Sequence, residues 1–182
     1  MTMRSTIRAA LLAASALAAL PASAAEEHTI KAFSSWTGQG QIFQTGPEQA
    51  TFVGALAGPV FVETEKGPVQ AGDMICPAIL TIGTKDGAME GRARCAATAK
   101  DGAQAFGEVT CQGFHMIGCD GTFTFTGGTG RFAGVEGGGK VIIRTEIGVV
   151  AQDGSGATGQ ASTGITYWPE LKYTLPEAAT TP

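Results

Sequence analysis

The sequence predicts an all-β protein, an antiparallel barrel of eight or nearly eight strands. Three observations carry the prediction. Gly accounts for 27 of the 182 residues, roughly twice its usual share and without the three-residue period of collagen. Nine short runs of strand character are each bounded by Gly, Pro or Asp, and no stretch of a dozen residues after the first 25 shows a helical period. Closure into a barrel is expected over an open sandwich because it leaves no strand edge to recruit another chain.

In chain order, residues 1–25 come first and read as an address rather than as structure. Arg4 and Arg8 precede an apolar stretch from Ala9 to Leu20, then Pro21 and small residues, the pattern of a secretory signal peptide. Cleavage after Ala24 and cleavage after Ala25 fit the small-residue rule equally well. The apolar stretch is shorter than the ~20 residues that a membrane helix needs, so no membrane span is expected. The expected location is periplasmic or secreted. The runs Thr29–Trp36, Ala50–Leu56, Val60–Glu63, Met74–Ile82, Gly91–Ala99, Phe106–Gln112, Gly118–Thr126, Lys140–Val150 and Thr163–Thr174 follow as strands. In the Gly121–Thr126 segment Phe123 and Phe125 alternate with Thr122, Thr124 and Thr126, so one face is buried and the other wet. Val141, Ile142 and Ile143 form a continuous apolar run, as expected of a strand covered on both faces or near a barrel seam. Residues 152–162 read as a polar loop and 177–182 as a flexible tail, with one barrel domain over 26–176.

The four cysteines, Cys76, Cys95, Cys111 and Cys119, lie in the exported part, where two disulfides are the default. A turn centred between Lys85 and Asp86 sets Cys76 opposite Cys95, and one centred near His115 sets Cys111 opposite Cys119. A hairpin centred near Ala103 sets Cys95 opposite Cys111, which is the rival pairing. No Cys-x-x-Cys element is present, so neither a zinc nor an iron–sulfur site is expected. Without the first 25 residues the chain holds ten Lys and Arg against sixteen Asp and Glu, a net charge of −6. The basic residues are scattered, which argues against a nucleic-acid partner.

Gly127-Gly128-Thr129-Gly130-Arg131-Phe132-Ala133-Gly134 contains a formal G-x-G-x-x-A string. It does not read as a dinucleotide site, because three more glycines and a strand follow where that motif needs a helix. A strand-to-strand connection with Phe132 turned back onto the barrel is expected instead. The stretch TFTFTGGTGRFAGVEGGGKV resembles the shared signature of the allene oxide cyclase and dirigent superfamily, here as an exported bacterial member. Gly127, Gly128, Thr129, Gly130, Phe132, Gly134 and Gly137 carry the resemblance, which spans about residues 118–144. It implies an eight-stranded barrel whose lumen holds a small apolar molecule, and an association of several identical copies. The matching positions are turn residues. The cyclases use an Asn in their site, and this chain has none.

No nucleophile elbow or metal-ligand cluster is evident, and no cofactor is expected. Glu63 with Glu65, and Glu108 with Glu146, are the carboxylate pairs to weigh as acid and base, against the plainer reading that they face water. His28 near a new N-terminus, and His115 beside Met116, have copper-binding chemistry but read first as surface residues. Trp36, Tyr167, Trp168 and Tyr173 fall in the first and last strands, which adjoin when a barrel closes. They form either the aromatic mouth of a ligand pocket or the sealed seam of a core. The expected function is binding of a small apolar molecule in the lumen. The alternatives are a cyclase or isomerase acting on a lumen-held ligand and a structural module with a filled barrel. Whether the lumen is hollow decides between them.

Overall fold

The computed structural model describes residues 26–152 and 158–176. The readings of residues 1–25 and 177–182 lie outside the described residues. Eight antiparallel strands form a closed barrel in chain order: β1 (Glu26–Gly46), β2 (Gln49–Thr64), β3 (Gly67–Gly83), β4 (Ala88–Ala99), β5 (Gln104–Phe114), β6 (Gly118–Gly128), β7 (Glu136–Gln152) and β8 (Thr158–Leu175). β8 closes the ring by pairing with β1 from Glu26↔Leu175 to Ile42↔Thr158. Among the described residues no helix is long and apolar enough to cross a membrane.

Two of the expected strands are one. β2 runs without a break through Gly58 and Pro59, which a sequence reading takes as punctuation. Pro59 has no N–H to give, and it sits where the β1–β2 ladder skips from Ser34↔Val60 to Thr37↔Ala57 in unchanged register. Its pairing with Asp73 of β3 continues, so the strand carries the proline as a local gap in one ladder. The segment 152–162 is likewise less of a loop than expected, since Gln152 ends β7 and Thr158 already begins β8. The connection after β6 contains a single 3-10 turn, Gly130–Phe132. Gly130 (φ +58°) and Gly134 (φ +74°) adopt left-handed backbone there, the conformation that a side chain disfavours. Thr129 clips this connection to β5, its N–H donating to the Gln104 carbonyl at 2.7 Å and its Oγ1 accepting from Gln104 N at 3.1 Å.

Both local disulfides are present, Cys76–Cys95 and Cys111–Cys119, and they differ in kind. The β3–β4 register, Ile75↔Ala96 and Ala78↔Ala93, puts Cys76 directly across from Cys95, with Cα atoms 4.1 Å apart. The β5–β6 hairpin is centred one residue later than expected, at Met116. Cys111 therefore faces Gly121 and Cys119 faces Gly113, and the bridge is a diagonal one with Cα atoms 5.6 Å apart. The glycines opposite each cysteine leave room for it: a Cβ on Gly121 would meet the Cys111 side chain, and one on Gly113 that of Cys119. The rival pairing fails on register, because β4–β5 is centred on Asp101 and sets Cys95 against Gly107.

Inward positions are filled unevenly along the barrel axis. Call the end that carries the β1–β2, β3–β4 and β5–β6 turns the lower one. Its inward residues are large, among them Trp36, Phe52, Leu56, Leu80 and Met89. The upper inward residues of β1, β3, β4 and β5 include the small Ala32, Gly72, Ala97 and Ala105 beside the larger Ile30 and Met74. Fully buried Val141 and Ser34 lie between the two halves. Glycines create the space that the rings occupy. A Cβ on Gly164 would run into the Trp36 indole and the Arg144 carbonyl.

Gly164→Ala is expected to lower stability by ~1–3 kcal/mol, the usual cost of overpacking, in a urea unfolding titration. Replacing Cys76 and Cys95 together by Ala is expected to lower it by about 3 kcal/mol, from the entropy that a loop of this length regains in the unfolded chain.

Candidate functional site

The hollow in this barrel follows from the uneven filling. A cavity of about 360 Å³ occupies the upper half, within the ~300–1,000 Å³ range of small-molecule pockets. One wall is aromatic. Trp168 stands edge-to-face with Phe123 (5.8 Å), Phe123 with Phe125 (4.9 Å) and Phe125 with Tyr173 (5.9 Å), and His28 stacks on Tyr173 at 5.0 Å. Edge-to-face contacts are a preferred arrangement for such rings, so this wall is a connected aromatic cluster. The facing wall is aliphatic and small, with Ala97, Ala105, Val60, Val62 and Met74. Phe132 and Val135 of the Gly-rich connection line the same cavity, as expected of a loop turned back onto the barrel.

A bulge in β8 places two of these residues on one face. Strand alternation puts residues five apart on opposite faces, yet Trp168 and Tyr173 both point inward. The β1–β8 register steps from Ile30↔Leu171 to Ala32↔Trp168, so Lys31 spans both Pro169 and Glu170. The extra residue flips the remainder of the strand, and proline is tolerated at such a bulge because it has no N–H for the ladder. The four aromatic residues singled out from the sequence therefore separate. Trp168 and Tyr173 line the upper cavity. Trp36 lines a smaller lower cavity of about 60 Å³, its Nε1 donating to Thr166 Oγ1 at 3.1 Å. Tyr167 pairs with Phe33 and Ile142 on outward positions and lines neither cavity. Ile142 likewise faces out from between inward Val141 and Ile143, so that apolar run is split between core and surface.

Polar groups gather at the mouth. Arg131 pairs with Asp101 at 3.0 Å and lies 4.8 Å over the Phe132 ring. His28 Nε2 lies 3.8 Å from Glu26. Burial raises the Tyr173 phenol above its ordinary value; the Arg131 charge works against this and that of Glu26 with it. Tyr173 therefore stays a neutral donor at physiological pH. The four carboxylates weighed as acid and base are elsewhere: Glu63, Glu65 and Glu146 are exposed, and Glu108 is held by Arg94 at 2.8 Å on the outside. Among the described residues no group of His, Cys, Asp and Glu is arranged to hold a metal ion.

The sequence reading missed most of the cavity wall. The alternation of Phe123 and Phe125 was the available signal, since the buried face of a barrel strand is its lumen face. Ala97 and Ala105 carry no signal by themselves, because a hollow is made by what is small.

No family model matches the chain and no curated protein matches it. Among solved structures it is similar to the pterocarpan synthase dirigent protein GePTS1, at 12% identity and a TM-score of 0.32, over 85% of this chain and 99% of that one. It is also similar to the pterocarpan synthase dirigent protein PsPTS1, at 14% identity and a TM-score of 0.28, over 75% and 95% of the two chains.

Proposed function

We propose that this is an exported barrel protein that holds a small apolar molecule in its upper chamber. The observation that carries the reading is the apolar cavity of about 360 Å³ between an aromatic wall and an aliphatic one. The resemblance of the Gly127–Gly137 connection to the allene oxide cyclase and dirigent signature supports the same use of the lumen. Trp168 and Tyr173 are the contact residues from the original four, joined by Phe123, Phe125 and Phe132. The polar groups at the mouth suit a ligand with its apolar body inside and any polar end outward.

Binding is favoured over catalysis by the chemistry of the wall. The group that faces the hollow with a shifted pKa is Tyr173, and its shift is upward. A phenol made less acidic orients a ligand as a hydrogen-bond donor but exchanges protons poorly at neutral pH. A filled structural barrel is disfavoured by the same cavity.

Native mass spectrometry of the exported protein is expected to give a mass above that of the denatured subunits, the excess being the retained molecule. The native mass also reports the number of subunits, and the denatured mass reports the cleavage site. Ala97→Phe, which places a ring in the hollow, is expected to remove the excess and to weaken binding of an apolar fluorescent probe by about tenfold or more. Tyr167→Ala on the outer face is expected to leave both unchanged. Equal binding by the wild type and Ala97→Phe contradicts the upper chamber as the site.

A further inference from the structure

The lower cavity is built differently from the upper one. β8 presents Gln160 and Ser162 to it, both 7% exposed, and β7 presents Thr145. His115, at the tip of the β5–β6 turn, lines its end. His115 Nδ1 and Gln160 Oε1 are both buried without a hydrogen-bond partner, an arrangement that costs free energy and is uncommon in a folded core.

The tip itself is lightly held. Its ends, Phe114 and Gly118, sit in the ladders to Ala88 and Arg144, and between them the links of residues 115–117 to neighbouring elements are two backbone bonds, His115 N to Gly87 O at 3.0 Å and Thr145 N to Ile117 O at 3.1 Å. Phe114, Met116 and Ile117 are all more than half exposed, so moving the tip uncovers little apolar surface. The Cys111–Cys119 bridge stops any such movement from travelling up the hairpin. We propose that the turn from Phe114 to Gly118 is an acid-released cap on the lower end of the lumen, with His115 as the pin.

The chemistry of the surroundings gives the direction. In the closed cap His115 lines the same small cavity as Met89, Leu80, Ile143 and Cys119. Burial holds His115 below its ordinary value, and the Gln160 side chain, close by but outside hydrogen-bond geometry, works against it. No carboxylate among the described residues lines this cavity. Asp86, beside Gly87 in the β3–β4 turn, is occupied by the Ala88 N–H at 3.0 Å, and Asp120 on β6 is paired with Arg144 of β7 at 3.3 Å. Lys85 and the outward-facing Arg92 bring only positive charge. The released tip, with its ring in water, therefore binds the proton more tightly than the closed one. The closed cap is fully favoured above the ordinary histidine value of about 6.5 and loses ground as pH falls below it, down to the depressed value of the closed state.

The Thr145 amide, which depends on the Ile117 carbonyl, is the reporter. Hydrogen exchange corrected for the intrinsic pH effect is expected to show its protection falling severalfold between pH 7.5 and 5, while Phe123 in the core is unchanged. His115→Gln is expected to abolish the fall and His28→Gln to retain it. Flat protection in the wild type overturns the proposal, and so does an equal fall in His115→Gln. The wild-type histidine ring protons give a second test that needs no variant. A His115 midpoint below 6.5 that coincides with the loss of Thr145 protection supports the cap, and a midpoint at or above 6.5 overturns it.

Discussion

The antiparallel pairing of β1 with β8 is the contact on which the rest of the molecule depends. It turns a meander of hairpins into a ring, so every strand has two neighbours and no edge is left. Once the ring is closed, the inward side chains form one shared interior, and their sizes decide what that interior is. An eight-stranded barrel is just wide enough for side chains to fill. Filling is therefore nearly complete, leaving about 60 Å³, where the inward residues are Trp36, Phe52, Leu56 and Met89. It fails where they are Ala32, Gly72, Ala97 and Ala105. The upper chamber is a consequence of residue volume at alternating positions, with no separate device needed to hold it open.

Two local features refine that consequence. The bulge at Pro169 and Glu170 turns Trp168 and Tyr173 to the same side, and with Phe123 and Phe125 they become a continuous aromatic wall. The Gly-rich connection returns Phe132 and Val135 to the mouth. It is anchored by Thr129 on Gln104 and by Arg131 on Asp101. The sulfur bridges act at the opposite scale, each tying one hairpin to itself.

Much of the fold is legible before any coordinates. Alternation in β6, Asp86-Gly87 and Asp101-Gly102 at two turns and the even spacing of breaks point to an antiparallel barrel, and turn centres favour the two local cysteine pairs while leaving Cys95 with Cys111 as a rival. The diagonal geometry of Cys111 with Cys119 was not legible, because a shift of one residue in a hairpin centre leaves no mark on the local pattern. The same limit governs the site. Counting by twos along β8 cannot place both Trp168 and Tyr173 inside, and only Pro169 within a strand hints at the bulge that does so. Gln160 and Ser162 were hidden for another reason: a run of Gly, Ser and Gln reads as a loop, whereas the inside of a barrel next to a histidine can accommodate polar side chains in a strand.

The central claim is that the upper half of the lumen is an open apolar chamber in solution and is used to hold a molecule. A crystal structure of the exported protein, purified without detergent and exposed to xenon, tests it most directly, because xenon enters dry apolar cavities and reports their extent. The account predicts density for xenon or for a retained molecule between Trp168, Phe123 and Ala97, with Phe132 and Tyr173 lining the mouth. A chamber closed by Phe132 or Tyr173 folded inward onto Ala97 and Ala105, with no density between them, would contradict it.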